Sequence, residues 1–260
     1  MKNNIIENFK NKKKTVGTFT HMKSMEAIEA IGISGMEFIV IDMEHCPVDI
    51  SEAATYVTAA NAAGITPLMR VNSITRPAIL QGLDIGVKGL IVPCIKTVDQ
   101  VRELVSYAKY RPVGERGYCM TRDGKWGHDS VYDNGLKGYM KDANEDNLLI
   151  LQCETVECLN QIEEIVDIDG VDGIMVGPND LSIAMNMPGQ FKNPEFLKEI
   201  DRVVRACKKA GKMSFIFCHD ANEANEKLEQ GFDNAIVGID LLTLISTYRQ
   251  ILEDIKRWIW

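Results

Sequence analysis

Short apolar runs alternate with amphipathic stretches from one end of the 260-residue chain to the other. Eight runs, at 16–20, 37–42, 66–71, 89–93, 148–154, 173–177, 213–218 and 234–239, are near-continuously apolar and rich in Val and Ile. That is the pattern of parallel strands buried on both faces. Between them, 24–31, 51–63, 76–83, 98–110, 156–165, 194–209, 221–229 and 241–258 carry apolar residues at helical spacing. Gly64, Gly86, Gly211 and Gly231 fall where helix C-termini are expected.

Eight strand–helix units account for the whole length, so residues 1–260 read as one domain. Eight is also the number at which a parallel sheet closes into a barrel filled by its own side chains. An open doubly wound sheet would require a glycine-rich turn after an early strand. The turn after 37–42 is Met43-Glu44-His45-Cys46-Pro47, without glycine. The expected fold is α/β, a single (β/α)8 TIM barrel. Two stretches sit outside this scheme. Residues 111–147 form a connection far longer than usual. The terminal helix gathers Leu241, Leu244, Ile245, Tyr248, Ile251, Leu252, Ile255 and Ile259 on one broad stripe, beside Trp258 and Trp260. That stripe either packs on the barrel or docks on a neighbouring subunit.

The composition, 45% apolar and 25% charged, supports a substantial core. A net charge of −8 argues against a nucleic-acid partner, which would call for a basic face. The cluster Lys10, Lys12, Lys13 and Lys14 reads as a solvated helix end. Seven scattered cysteines with no C-x-x-C pair suggest neither a zinc knuckle nor a disulfide framework. Residues 1–14 lack the apolar core of a signal peptide, and no run approaches a membrane span. A cytoplasmic protein with no membrane partner is expected.

In a barrel of this kind chemistry gathers at the C-terminal ends of the strands. Those ends carry Asp42, Glu44 and His45; Arg70; Gln152 and Glu154; Gly177-Pro178-Asn179-Asp180; Cys218 with His219; and Gly238 with Asp240. Glu154 and Asp180 come from adjacent strand ends, about 5 Å apart, and can reach a common point. Two unpaired carboxylates repel each other, which a bound cation resolves. Oxygen-only ligands favour a hard ion, Mg²⁺ or Mn²⁺. The alternative for Asp180 is a helix N-cap before Leu181-Ser182. Arg70 either pairs with Asp42 or Glu44 as a structural network or offers a fixed positive fork to a carboxylate, phosphate or enolate oxygen. His45 is either structural or a general base; His219 and His128 rank behind it, and His21 last. No strand ends in lysine, Lys96 being the nearest, so a Schiff-base mechanism is disfavoured. The loops after the last two strands lack the paired glycines of a barrel phosphate site, which disfavours a phosphosugar.

Taken together, Ile41-Asp42-Met43-Glu44-His45, Met69-Arg70-Val71, Val92-Pro93, Gln152-Cys153-Glu154-Thr155 and the run from Val171 through Gly177-Pro178-Asn179-Asp180 to Ser182 resemble the HpcH/HpaI aldolase family. These are class II pyruvate aldolases, of the 4-hydroxy-2-oxoheptanedioate and 2-dehydro-3-deoxyglucarate aldolase type. The resemblance runs from about Val16 to the final helix. It implies a divalent metal, Mg²⁺ or Mn²⁺ with Co²⁺ as a further option, held by Glu154 and Asp180. The 2-oxo acid would chelate that metal, with its carboxylate held by Gln152 and the backbone N–H groups of Asn179 and Asp180 in the Gly177-Pro178 turn. Arg70 would stabilise the enolate oxygen, and His45 would take the proton of the 4-hydroxyl, so that a 4-hydroxy-2-oxo acid breaks to pyruvate and an aldehyde. Asp42 and Glu44 would organise water and Arg70 around the metal.

The resemblance also gives Asp84 the task of raising the basicity of the histidine. Asp84 lies near the end of the helix that runs back towards the opposite face, so it would have to come from a neighbouring subunit. A homo-oligomer follows, a hexamer built as a trimer of dimers with exchanged last helices. The sequence departs from the family pattern at Met43, Cys119, Phe19 and Phe217, none of which is expected to touch the metal or pyruvate half of the site. Two other readings stand beside the aldolase: a citrate-lyase β-subunit or malyl-CoA lyase type of enzyme, and a non-catalytic barrel that binds 2-oxo acids.

Overall fold

A computed structural model describes residues 3–128 and 130–255. The eight strands, β1 Thr15–Thr20, β2 Phe38–Asp42, β3 Thr66–Arg70, β4 Gly89–Val92, β5 Leu148–Cys153, β6 Gly173–Val176, β7 Met213–Cys218 and β8 Asn234–Ile239, form a closed barrel in sequence order. Every neighbouring pair is parallel, β1 with β8 included. The expected (β/α)8 architecture is therefore the observed one, with strand limits within a residue of those read from the hydrophobic runs.

The helices are α1 Asn4–Lys10, α2 Met25–Ile33, α3 Ile50–Ala63, α4 Arg76–Asp84, α5 Val98–Ala108, α6 Gly135–Asp146, α7 Val156–Asn160, α8 Ile162–Val166, α9 Pro178–Ala184, α10 Pro194–Ala210, α11 Ala221–Gln230 and α12 Asp240–Ile255. Local chemistry sets their limits. Asp49 with Glu52 and Thr97 with Gln100 form capping boxes at the starts of α3 and α5. Gly64, Gly211 and Gly231 end α3, α10 and α11 in left-handed caps. The single helix expected over 156–165 is two short ones, α7 and α8, broken at Gln161.

Two apolar layers result. Outward-facing strand residues pack against the helices in one continuous core. Inward-facing Phe38, Leu68, Ile91, Ile150, Met175, Phe215 and Ile236 fill the barrel. Ile5 of α1 joins this inner set and closes the barrel at the N-terminal ends of the strands. Asn3 anchors the plug by donating from Nδ2 to the carbonyls of Lys88 and Asp146, both at 2.9 Å. About two turns of helix are too short for a period to show, and the sequence marks α1 only by the lysine cluster read as a helix end. The lysine cluster does begin at the end of this helix.

The 111–147 connection is locally folded. It contains α6, and its Tyr118, Tyr132 and Tyr139 cluster with Tyr110 just before it. Its buried Arg116 pairs with Asp84 at 2.9 Å and with Asp123 at 3.3 Å. Helix α12 is the opposite case. Asp240 is its one buried residue, while Leu241, Leu242, Leu244, Ile245, Tyr248, Ile251, Leu252 and Ile255 are 40–59% exposed. The stripe read from the sequence does not pack on its own barrel over these residues; Trp258, Ile259 and Trp260 lie outside the described residues. Among those described, no helix is long and apolar enough to cross a membrane.

Candidate active site

Strands β2 and β3 end in register, Asp42 opposite Arg70. Arg70 donates to the carboxylate through Nε to Oδ1 at 2.9 Å and through a terminal nitrogen to Oδ2 at 2.7 Å. Asp42 is 0% exposed. Its Oδ1 also accepts the amides of Glu44 and His45, and its Oδ2 lies 2.8 Å from His21 Nε2. Burial pushes the Asp42 carboxyl up, but the hydrogen bonds and charge of Arg70 outweigh it and hold the group below the usual carboxylate range. A second terminal nitrogen of Arg70 stands 3.2 Å from Glu44. The guanidinium lies 4.6 Å from the centre of the Phe19 ring. Phe19 therefore lines the cleft beside Arg70. The two readings of Arg70 merge, because it is both the partner of Asp42 and a wall of the cleft.

Glu154 follows β5, and each of its oxygens has a partner. The Cys94 amide donates to Oε1 at 2.7 Å, and the Gln152 amide donates to Oε2. Glu44, Cys94 and Glu154 each offer a ligand atom within 4.8 Å of the others. Burial pushes the Glu44 carboxyl up, and the nearby Glu154 charge adds to this against the pull of Arg70. Burial and then the charges of Glu154 and Glu44 raise the Cys94 thiol in the same way. Repelling carboxylates that share a rim fit a divalent cation by their own donor chemistry. Gly177 packs closely here, where a Cβ would stand 3.3 Å from both Gln152 Nε2 and Glu154 Oε2 and would press on that pair.

A cleft of about 320 Å³ opens over these groups. His21, His45, Arg70, Gln152, Gly177, Pro178, Asn179 and Asp180 line it, with Phe19 and Phe217 on the apolar side. The barrel thus brings together the sequence-predicted His45, Arg70, Gln152, Gly177, Pro178, Asn179 and Asp180, with Asp42, Glu44 and Glu154 beneath them. Asp180 is exposed and sits in the first turn of α9, whose N-cap is Gly177, so the capping alternative for Asp180 does not hold. It does not join the three-residue group around Glu154. The His45 side chain is 63% exposed, 3.8 Å from Glu44. Asp84 is not brought to the cleft; it is occupied by Arg116.

The residue that sequence reasoning undervalued is His21. It follows β1 directly, at a strand end with no acidic or basic residue beside it in sequence to mark it. Its ring is held by Asp42, and its amide donates to Asp240 at 2.9 Å. His219 instead pairs with Glu223 of α11 at 2.9 Å.

Similarity to other proteins agrees with this arrangement. The sequence profile of the HpcH/HpaI aldolase/citrate lyase family matches residues 15–247. The chain is 30% identical over 243 residues to 2-keto-3-deoxy-L-rhamnonate aldolase of Escherichia coli O157:H7, covering 93% of this chain and 88% of that protein. An HpcH/HpaI aldolase/citrate lyase family protein from Burkholderia cenocepacia J2315 superposes with a TM-score of 0.89 at 28% identity, over 98% of this chain and 99% of that one. The citrate synthase SbnG superposes with a TM-score of 0.86 at 27% identity, over 97% of each chain. With a family match over most of its length and a relative at 30% identity, the chain belongs to the HpcH/HpaI aldolase/citrate lyase family.

Proposed function

We propose that the protein is a divalent-metal-dependent aldolase that cleaves a 4-hydroxy-2-oxo acid to pyruvate and an aldehyde. The observation that carries this reading is the Arg70 guanidinium, locked by Asp42 and facing the same cleft as Asp180 and as Gln152, the hydrogen-bond partner of Glu154. Glu154 and Asp180 would hold Mg²⁺ or Mn²⁺, and Co²⁺ also suits them. When bound, the ion supplies Lewis acidity that draws electron density from the 2-oxo acid. Gln152 and the backbone N–H groups of Asn179 and Asp180 hold the substrate carboxylate in the space that Gly177 and Pro178 leave clear.

Cleavage needs a base at the 4-hydroxyl and a positive partner for the charge that develops. His45 removes the hydroxyl proton, the C3–C4 bond breaks, and its electron pair passes into the enolate of pyruvate as the aldehyde leaves. Arg70 stands fixed beside the developing enolate oxygen, so little reorganisation is required at the moment of reaction. Asp42 holds Arg70 in place, and Glu44 orders water beside it. The enolate then takes up a proton to give pyruvate.

The oligomeric part of the reading rests on α12 and Asp84. An apolar helix face left open along its whole described length suits exchange between subunits. Asp84, remote from His45 of its own chain, would support the base of a neighbour. A homohexamer arranged as a trimer of dimers satisfies both, with a cytoplasmic setting and small-molecule partners alone.

Exchange of the pyruvate methyl protons in D₂O, followed by NMR with Mg²⁺, tests the half-reaction. Exchange is expected with the metal and lost with chelator, and borohydride plus pyruvate should leave activity intact. Exchange that survives chelation, together with inactivation by borohydride, would point to a Schiff base and overturn the proposal.

A further inference from the structure

His21 and Arg70 share one carboxylate oxygen. The His21 Nε2 and a terminal nitrogen of Arg70 lie 2.8 and 2.7 Å from Asp42 Oδ2. The Asp42 carboxyl is held below the usual range and is therefore ionised at neutral pH. An ionised carboxylate only accepts, so Nε2 carries the hydrogen and the tautomer is fixed. The other ring nitrogen, Nδ1, has no hydrogen-bond partner among the described residues. The side chain is 19% exposed and lines the cleft.

The backbone behind the ring is pinned. Asp240, buried at the start of α12, accepts the Thr20 hydroxyl at 2.7 Å, the His21 amide at 2.9 Å and the Met22 amide at 3.0 Å. The His21 carbonyl accepts from the Cys46 thiol at 3.4 Å. A carboxylate on one ring nitrogen, a fixed backbone and a second nitrogen left unpaired suit acid–base work in a residue that lines the cleft. His45 is built differently, 63% exposed and with Glu44 at 3.8 Å. Cleavage ends, moreover, with an enolate that needs a proton at C3, one bond from the carbon whose oxygen Arg70 faces.

We propose that His21 is the acid that protonates C3 of the pyruvate enolate and, in reverse, the base that removes a methyl proton, while His45 serves the 4-hydroxyl. The inference rests on the aldolase reading above. In the cleavage direction the Nδ1–H of the His21 imidazolium gives its proton to C3. The carbon–carbon double bond of the enolate supplies the electron pair, and the C2 carbonyl re-forms. Neutral His21 regains a proton from solvent, and His45 releases to solvent the one it took from the hydroxyl. One proton enters, one leaves, and no electron is transferred. Asp42 stabilises the charged ring as it fixes the tautomer.

The test is His21→Gln in the full-length protein with Mg²⁺. The glutamine amide can replace the N–H donor to Asp42 but holds no transferable proton. Pyruvate methyl exchange in D₂O should fall about 10²- to 10⁴-fold, the usual worth of a positioned acid or base. Binding of oxalate, a planar dianion that mimics the enolate, should keep its wild-type affinity, because Arg70 stays in place. Exchange at the wild-type rate overturns the role of His21. So does a loss of oxalate affinity that matches the loss of exchange, which would make His21 a positioning residue for Arg70. His21→Asn gives the same comparison if the glutamine variant does not fold. Wild-type protein that neither exchanges pyruvate nor binds oxalate with Mg²⁺ overturns the aldolase reading, and this one with it.

Discussion

Arg70 and Asp42 meet through two hydrogen bonds, of 2.9 and 2.7 Å, at the paired ends of adjacent strands. A guanidinium so held cannot turn towards solvent, and its remaining edge faces the cleft. Lysine keeps the charge but not the fork. Arg70→Lys should therefore slow pyruvate methyl exchange by about 10²- to 10³-fold, the cost of a misplaced oxyanion partner. Exchange at the wild-type rate would remove Arg70 from the enolate. Asp42→Ala should instead be read in stability, since it strands a buried guanidinium at a cost on the order of 3–5 kcal/mol, measurable by urea unfolding.

The two histidines of the cleft should separate cleanly. His45 is mostly exposed, and its nearest carboxylate stands 3.8 Å away. His45→Ala is expected to reduce aldol cleavage by about 10²- to 10⁴-fold with an unchanged melting temperature. His21 is half-buried and bonded to Asp42. His21→Ala should lower both turnover and melting temperature, because it removes a support of the Arg70–Asp42 pair. Equal effects of the two substitutions on melting would contradict this division.

The neighbouring carboxylates Asp42 and Glu44 should give opposite pH signatures. The folded pKa of Asp42 lies below its ordinary value of 3.8, so its ionised form stabilises the fold above that value. That contribution disappears as pH falls through the depressed folded value. The folded pKa of Glu44 lies above its ordinary 4.5, so its contribution is present below 4.5 and is lost as pH rises through the folded value. In chelator at neutral pH, Glu44→Gln should thus stabilise the protein, and Asp42→Asn should destabilise it. Urea unfolding as a function of pH reads both, and the gain from Glu44→Gln should vanish below the ordinary carboxylate range.

Metal should act as a stabilising ligand as well as a reagent. Ion at about 100 times its dissociation constant adds about 2.7 kcal/mol to stability. A thermal-shift series should show that gain in the wild type and its loss in Glu154→Gln, with turnover abolished. An unchanged shift in Glu154→Gln would place the ion elsewhere.

The proposed subunit exchange predicts complementation. Asp84→Asn and His45→Ala proteins should each be inactive alone. If Asp84 serves a neighbour's His45, mixed oligomers regain part of the wild-type activity. Placing charge on the open face of α12, as in Leu244→Glu with Leu252→Glu, should lower the sedimentation coefficient to that of a smaller species. An active monomer would refute the arrangement.

Much of this molecule is legible in one dimension. Eight near-continuous apolar runs can be buried on both faces only in a parallel sheet wrapped by helices, so the barrel follows from pattern and length. Parallel strands also place every C-terminal end on one rim, which is why the strand-end residues Asp42, Arg70 and Gln152 are legible in the sequence as sharing that rim. The plug α1 and the break between α7 and α8 escaped, being too short to carry a period. Partner choice is a different matter. His21 on Asp42, and Cys94 beside Glu44 and Glu154, join residues from strand ends up to about a hundred positions apart, and only closure and stagger of the barrel set which side chains meet. Likewise, helical spacing marked the apolar stripe of α12, but only the packed structure revealed that its own barrel leaves the face open. Periodicity records how much surface must be buried; the three-dimensional contacts decide against what.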